Sequence, residues 1–178
     1  MHADELVHRP ICDGVDVPVI ILIEDEEPVD AARFELLGLD DDAFDDAIEA
    51  IEDLRDGDWR VDRVAVKGAE PLTVLTRTCD DGVVIEQLLV PAVMADAAQR
   101  LGVDALAVGI PTRGTLLATA ADQKWQLVAA FATAVRVQHD RGGDQRLYPG
   151  VLRVDGGKPV AEIALGTASL DAAAAKLK

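Results

Sequence analysis

Residues 104–120 read DALAVGIPTRGTLLATA. Two apolar runs, Asp104 to Ile110 and Leu116 to Ala120, flank the connection Pro111-Thr112-Arg113-Gly114. Apolar runs of this length, bounded by proline and glycine, read as strands. A four-residue connection is too short for the crossover that joins parallel neighbours, so the two strands are expected to be antiparallel. That expectation decides against the alternating βαβ plan of a doubly wound fold.

Outward from this pair, the pattern is helices interrupted by strand pairs. On the C-terminal side, Asp122 can cap a helix running to about His139, with Trp125, Val128, Phe131, Ala132 and Val135 on its apolar face. Asp140 to Gly143 ends it. A hairpin follows, Gly150 to Val154 and Pro159 to Leu165, around the turn Asp155-Gly156-Gly157. On the N-terminal side, Pro91 suits the first position of a helix whose stripe is Val93, Met94, Ala97, Ala98 and Leu101, closed by Gly102. Before it, Leu72 to Thr78 and Val83 to Val90 read as two strands joined at Asp80-Asp81-Gly82, the second internal to a sheet. A two-residue Asp81-Gly82 loop would set Arg77 opposite Glu86 as a cross-strand ion pair. A three-residue loop would set Arg77 opposite Ile85 instead.

Trp59 to Val66 reads as an irregular strand. Asp41 to Leu54 carries Ala43, Phe44, Ala47, Ile48, Ile51 and Leu54 on one helical face, behind the capping run Asp40-Asp41-Asp42 and ahead of Gly57. Ala31 to Leu37 is a shorter helical segment. Val19 to Ile23 is an unbroken apolar run, expected as a strand covered on both faces. The whole predicts an α+β fold, a mixed or largely antiparallel sheet with three main helices packed on it. Residues 1–16 read as a flexible leader, 17–170 as one domain, and 171–178 as a frayed tail.

Composition narrows the function classes. Of 178 residues, 49% are hydrophobic, enough for a substantial core, while aromatics are only 3%, so few stacking platforms exist. The formal net charge is -16, from 33 acidic and 17 basic residues. Such a field repels phosphate backbones and anionic membranes, and no basic run interrupts it. Nucleic acid and membrane are therefore not expected as partners. The N-terminus lacks the pattern of a signal peptide, and the apolar run Val17 to Ile23 is too short to span a bilayer. A cytoplasmic location is expected. Cys12 and Cys79 are widely spaced and form no CxxC pair, which argues against a disulfide framework or a thiolate metal site. No metal and no cofactor are expected.

Three blocks resemble the YtpP-like family of uncharacterised bacterial cytosolic proteins. The first runs from Leu37-Gly38-Leu39 through the acidic-capped helix to Leu54. The second is Asp81-Gly82 with the apolar run to Leu89-Val90-Pro91. The third is Ala105 to Arg113, ending in Pro111-Thr112-Arg113. In the family an Asp usually follows that Arg, and here Gly114 stands in its place. The resemblance spans about residues 20 to 160. It implies a bacterial cytosolic α+β protein and carries no established activity.

Six residues are candidates for binding. Arg113 follows an internal strand in a short connection, where a guanidinium can hold a carboxylate or phosphate bidentately, and Thr112 stands beside it. A salt bridge holding the loop would place Arg113 there equally well. Asp81 and Glu86 are carboxylates near one turn, and Arg77 is the only interior charge of its strand. His139, followed by Asp140, could act as an oriented base, or simply as a cation at a helix C-terminus. Gly142-Gly143 and Gly156-Gly157 fit no phosphate-loop pattern, and no protease, hydrolase or kinase motif is present. The reading is a non-catalytic, acidic protein-interaction domain, binding a basic protein partner. One alternative is an immunity or antitoxin-like protein. Another is an enzyme with an unfamiliar site centred on Arg113.

Overall fold

The computed structural model describes residues 7–12, 15–19, 21–23, 27–29, 58–78 and 84–165. Their order is β1 (Val7–Cys12), β2 (Val15–Val19), β3 (Ile21–Ile23), β4 (Glu27–Val29), β5 (Arg60–Val64) and β6 (Leu72–Thr78). Then come α1 (Val84–Leu89), α2 (Pro91–Leu101), β7 (Ala105–Thr112), β8 (Thr115–Ala120), α3 (Trp125–Arg141), β9 (Leu152–Asp155) and β10 (Lys158–Glu162). Six strands form one sheet in the order β10-β9-β7-β8-β6-β5, with every neighbouring pair antiparallel. The fold is α+β.

Strand periodicity sends alternate side chains to opposite faces, and here both faces are covered. On one face Leu75, Leu106, Val108, Ile110, Leu116 and Leu152 pack with Leu88, Val93, Met94 and Ala97 of α1 and α2. On the other, Leu72, Val74, Ala107, Leu117 and Val151 pack with Leu127, Ala130, Phe131 and Val135 of α3. The central strand β7 is buried from Ala105 to Pro111, which is why it reads as a continuous apolar run. At Gly109 a Cβ would collide with Val135 Cγ2, so α3 approaches the strand backbone there.

Several boundaries agree with the sequence. Strand β6 and helix α2 fall where expected, and β7 and β8 pair antiparallel as expected, though Pro111 and Thr112 of the expected connection belong to β7 and Thr115 to β8. Gly102 ends α2 at φ 67°, and its N–H donates to the carbonyls of Ala98 and Gln99. Gly156 and Gly157 form the two-residue loop of β9–β10 at φ 57° and 83°, with Asp155 opposite Lys158.

Other expectations are corrected. Val83 to Val90 is not a strand, because residues 84–89 form helix α1. Three successive residues of it, Glu86, Gln87 and Leu88, are all buried. Periodicity cannot separate a short buried helix from an internal strand. The helix stops at Leu89 because Pro91 disfavours the α region for the residue before it. Val90 accordingly adopts φ -89°, ψ 106° between the two helices. Val19 to Ile23 is divided between β2, which pairs with β1, and β3, which pairs with β4. Residues 7–12, expected within the leader, form β1. Asp122 does not cap α3. The N-cap is Lys124, without a side-chain hydrogen bond. Trp125 is 53% exposed, because burial along α3 begins only at Leu127. The expected helices at 31–37 and 41–54, the turn containing Asp81, Cys79 and the tail lie outside the described residues. No helix among the described residues is long and apolar enough to cross a membrane.

Candidate functional site

Strand register gathers several candidates at one end of the sheet. Thr78 at the end of β6 pairs with Thr115 at the start of β8, and Thr115 also pairs with Thr112 at the end of β7. Arg77, Thr112 and Arg113 therefore share that end. The chain leaving α3 returns to it as well. The Arg113 N–H donates to the Gln145 carbonyl at 2.9 Å, and the Leu147 N–H donates to the Pro111 carbonyl at 3.0 Å. At Gly142 a Cβ would lie 2.7 Å from Thr112 Cγ2, so the end of α3 rests on Thr112.

The six candidates separate by burial. Arg113 and Thr112 are half-buried, with Arg113 Nε shielded from solvent. His139 lies in the last turn of α3, its Nδ1 3.2 Å from Asp140 Oδ1 and its carbonyl accepting from the Gly142 N–H. That arrangement suits a helix terminus, where an imidazole meets the negative end of the dipole. Arg77 and Glu86 are interior residues, 2% and 1% exposed. Arg77 stands opposite Leu116 of β8, not opposite Glu86, because Glu86 belongs to α1. The Arg77 guanidinium carbon lies 5.7 Å from the centroid of the Trp59 ring, within cation–π range. Asp81 lies outside the described residues. Among the described residues, no three of His, Cys, Asp and Glu converge to hold a metal ion.

Two polar arrangements were not legible in the sequence. Arg153 on β9 holds Asp122 with both terminal nitrogens, at 2.8 and 3.2 Å, and Asp155 through Nε at 2.9 Å. The residues of the first pair are 31 positions apart, and no local pattern announces the contact. The hydrogen bond from Arg153 holds the Asp122 carboxyl below its ordinary value of 3.8. A carboxyl lowered by folding contributes stability that is present above its ordinary value and lost as pH falls through the lower folded value. An NMR titration of Asp122 should therefore show a midpoint below 3.8, and Arg153→Gln should return it towards that value. An unshifted Asp122 in the unmodified chain would contradict the pairing. The second arrangement surrounds Tyr148. Burial raises its phenol above the ordinary value of 10, and so does its hydrogen bond to Glu162. Cys12, a half-buried thiol, lies close enough to add to the same effect.

Comparison with protein-family models, with curated proteins and with solved structures finds no match. The functional reading rests on geometry and charge.

Proposed function

We propose that this chain is a non-catalytic, acidic protein-interaction domain of the YtpP-like, bacterial cytosolic kind, and that its partner is a basic protein. The observation that carries the reading is the imbalance of 33 acidic against 17 basic residues, together with how the basic ones are used. Arg60 pairs with Asp62, Arg100 with Asp96, Lys124 with Glu70 and Arg153 with Asp122. Arg77 is buried. These cations are matched locally or withdrawn from the surface, and the acidic excess is left to act at long range. A field of one sign steers an oppositely charged protein and speeds its association. The same field disfavours nucleic acid and anionic membrane.

An immunity or antitoxin-like protein, neutralising a basic toxin, is the most concrete form of this reading. The test is a native pull-down from lysate, followed by association kinetics with the purified partner. The expected result is a stoichiometric basic protein whose association rate falls steeply with salt. An acidic or neutral partner, or a salt-insensitive rate, would overturn the reading.

Arg113 sustains the alternative of an enzyme, since it is half-buried at the end of the sheet where β7, β8 and the end of α3 come together. If it serves a ligand or partner, Arg113→Ala should cost about 1 kcal/mol of stability or less, as at positions outside buried networks. Chemical denaturation measures this. A loss of several kcal/mol would show that Arg113 holds the connection in place.

A further inference from the structure

The two edges of the six-stranded sheet are built differently. Strand β10 contains Pro159, and its register with β9 shifts between Pro159 and Ala161. Proline and bulges are recognised ways of blunting an edge against further pairing. Strand β5, at the opposite edge, has neither. Its five residues pair with β6 in unbroken register, from Arg60 opposite Thr76 to Val64 opposite Leu72. Among the described residues β5 pairs with no other strand. Val61, midway between Arg60 and Asp62, is 57% exposed.

We infer that β5 pairs antiparallel with β5 of a second copy of this chain, across a two-fold axis at Val61, joining the two sheets edge to edge. Such an axis is perpendicular to the sheet and keeps each face on its own side, so opposed residues must have the same parity. Only a few registers are then available, and charge chooses among them. Centring on Asp62 sets Asp62 against its own copy. Centring on Arg60 or Arg63 does the same with two arginines. Like charges directly opposite each other are destabilising. Centring on Val61 instead sets Arg60 opposite Asp62 of the second copy, and Asp62 opposite its Arg60. The two exposed Val61 side chains then meet on the other face.

The monomer already places the two charges for this exchange. Arg60 Nε lies 2.9 Å from Asp62 Oδ2 within the strand, and both side chains are substantially exposed. Pairing would close the two intrastrand pairs into a ring of four alternating charges. A guarding edge repels its own kind, whereas this sequence of signs is self-complementary. The interface is a single strand wide, which places it among small, exchangeable contacts and not obligate ones.

The test is the mass of the full chain in solution, by light scattering or sedimentation, from about 1 μM to about 1 mM, near 0.15 M salt to limit repulsion between the two acidic copies. The expected result is a concentration-dependent doubling of the 18.9 kDa mass. Arg60→Asp and Asp62→Arg each place like charges at both flanking positions, so each variant alone should stay monomeric. Mixed in equal amounts they should dimerise, because one strand then carries two carboxylates and the strand facing it two guanidiniums. The double variant should dimerise by itself. Val61→Glu leaves the charge pairs intact, sets two carboxylates together on the axis, and should abolish the doubling. A wild-type chain that stays monomeric throughout overturns the inference. So do charge variants that still dimerise alone, or a folded mixture that stays monomeric.

Discussion

Arg77→Ala is expected to lower the free energy of unfolding by about 3–5 kcal/mol, the range for truncating a large side chain or breaking a buried ionic arrangement. Arg77 is 2% exposed on the face of β6 that also carries Leu75. Removing it takes away the cation above Trp59, the packing of its aliphatic stem and the volume of the whole side chain. Arg77→Lys should recover only part of the loss, since an ammonium keeps the charge but lacks the planar, delocalised guanidinium and its fork of donors. Denaturant unfolding of the three proteins measures both differences. The result bears on function as well as on fold. Functional groups are often held at a cost to stability, so removing one tends to be neutral or stabilising. A stable Arg77→Ala protein would therefore return Arg77 to the candidates for a site and weaken the non-catalytic reading.

How much is legible follows the range of the signal. Strand β6, helix α2 and the β7–β8 pair are written in local patterns: a bounded apolar run, a proline followed by a helical stripe and a glycine, and two runs across a short connection. The segment from Val83 to Val90 misleads because it is apolar at most positions and its polar residues, Glu86 and Gln87, are buried too, which leaves no periodicity to read. That one difference removes the expected cross-strand register. A hairpin would set Arg77 opposite Glu86 on a neighbouring strand, whereas Arg77 stands opposite Leu116 of β8 and Glu86 is on a helix. The sequence does mark both as interior charges, and both are buried. For the candidate site, local pattern places Thr112 and Arg113 on a connection after an internal strand. It does not show that the end of α3 returns to rest on Thr112, because that contact depends on the length and direction of a helix packed across the sheet. The Arg153–Asp122 pair is invisible for the same reason.

Gly109→Val is expected to cost about 3 kcal/mol or more, and Gly109→Ala about 1–3 kcal/mol, through overpacking. An isolated glycine inside a strand often marks close approach of another element, and here the element is α3. A Cβ on Gly109 would collide with Val135 Cγ2 and lie 3.0 Å from Val135 Cγ1. Both residues sit in a fully buried layer, so neither can move outward without separating α3 from β7. The competing effect has the opposite sign. Alanine restricts the unfolded chain more than glycine does, which would stabilise by about 0.4–1 kcal/mol if space allowed. The sign of Gly109→Ala thus reports directly whether the contact is as tight as the geometry indicates. Val135→Ala supplies the control. Alone it should cost about 2 kcal/mol, by lost apolar burial and the cavity left behind. Combined with Gly109→Ala it removes the methyl groups that collide with the new Cβ, so the double variant should cost less than the sum of the two single changes. Coupling between contacting residues is commonly about 0.5–3 kcal/mol. Strictly additive costs would show that Gly109 is required for some reason other than the approach of Val135, most simply the register shift between Gly109 and Thr112.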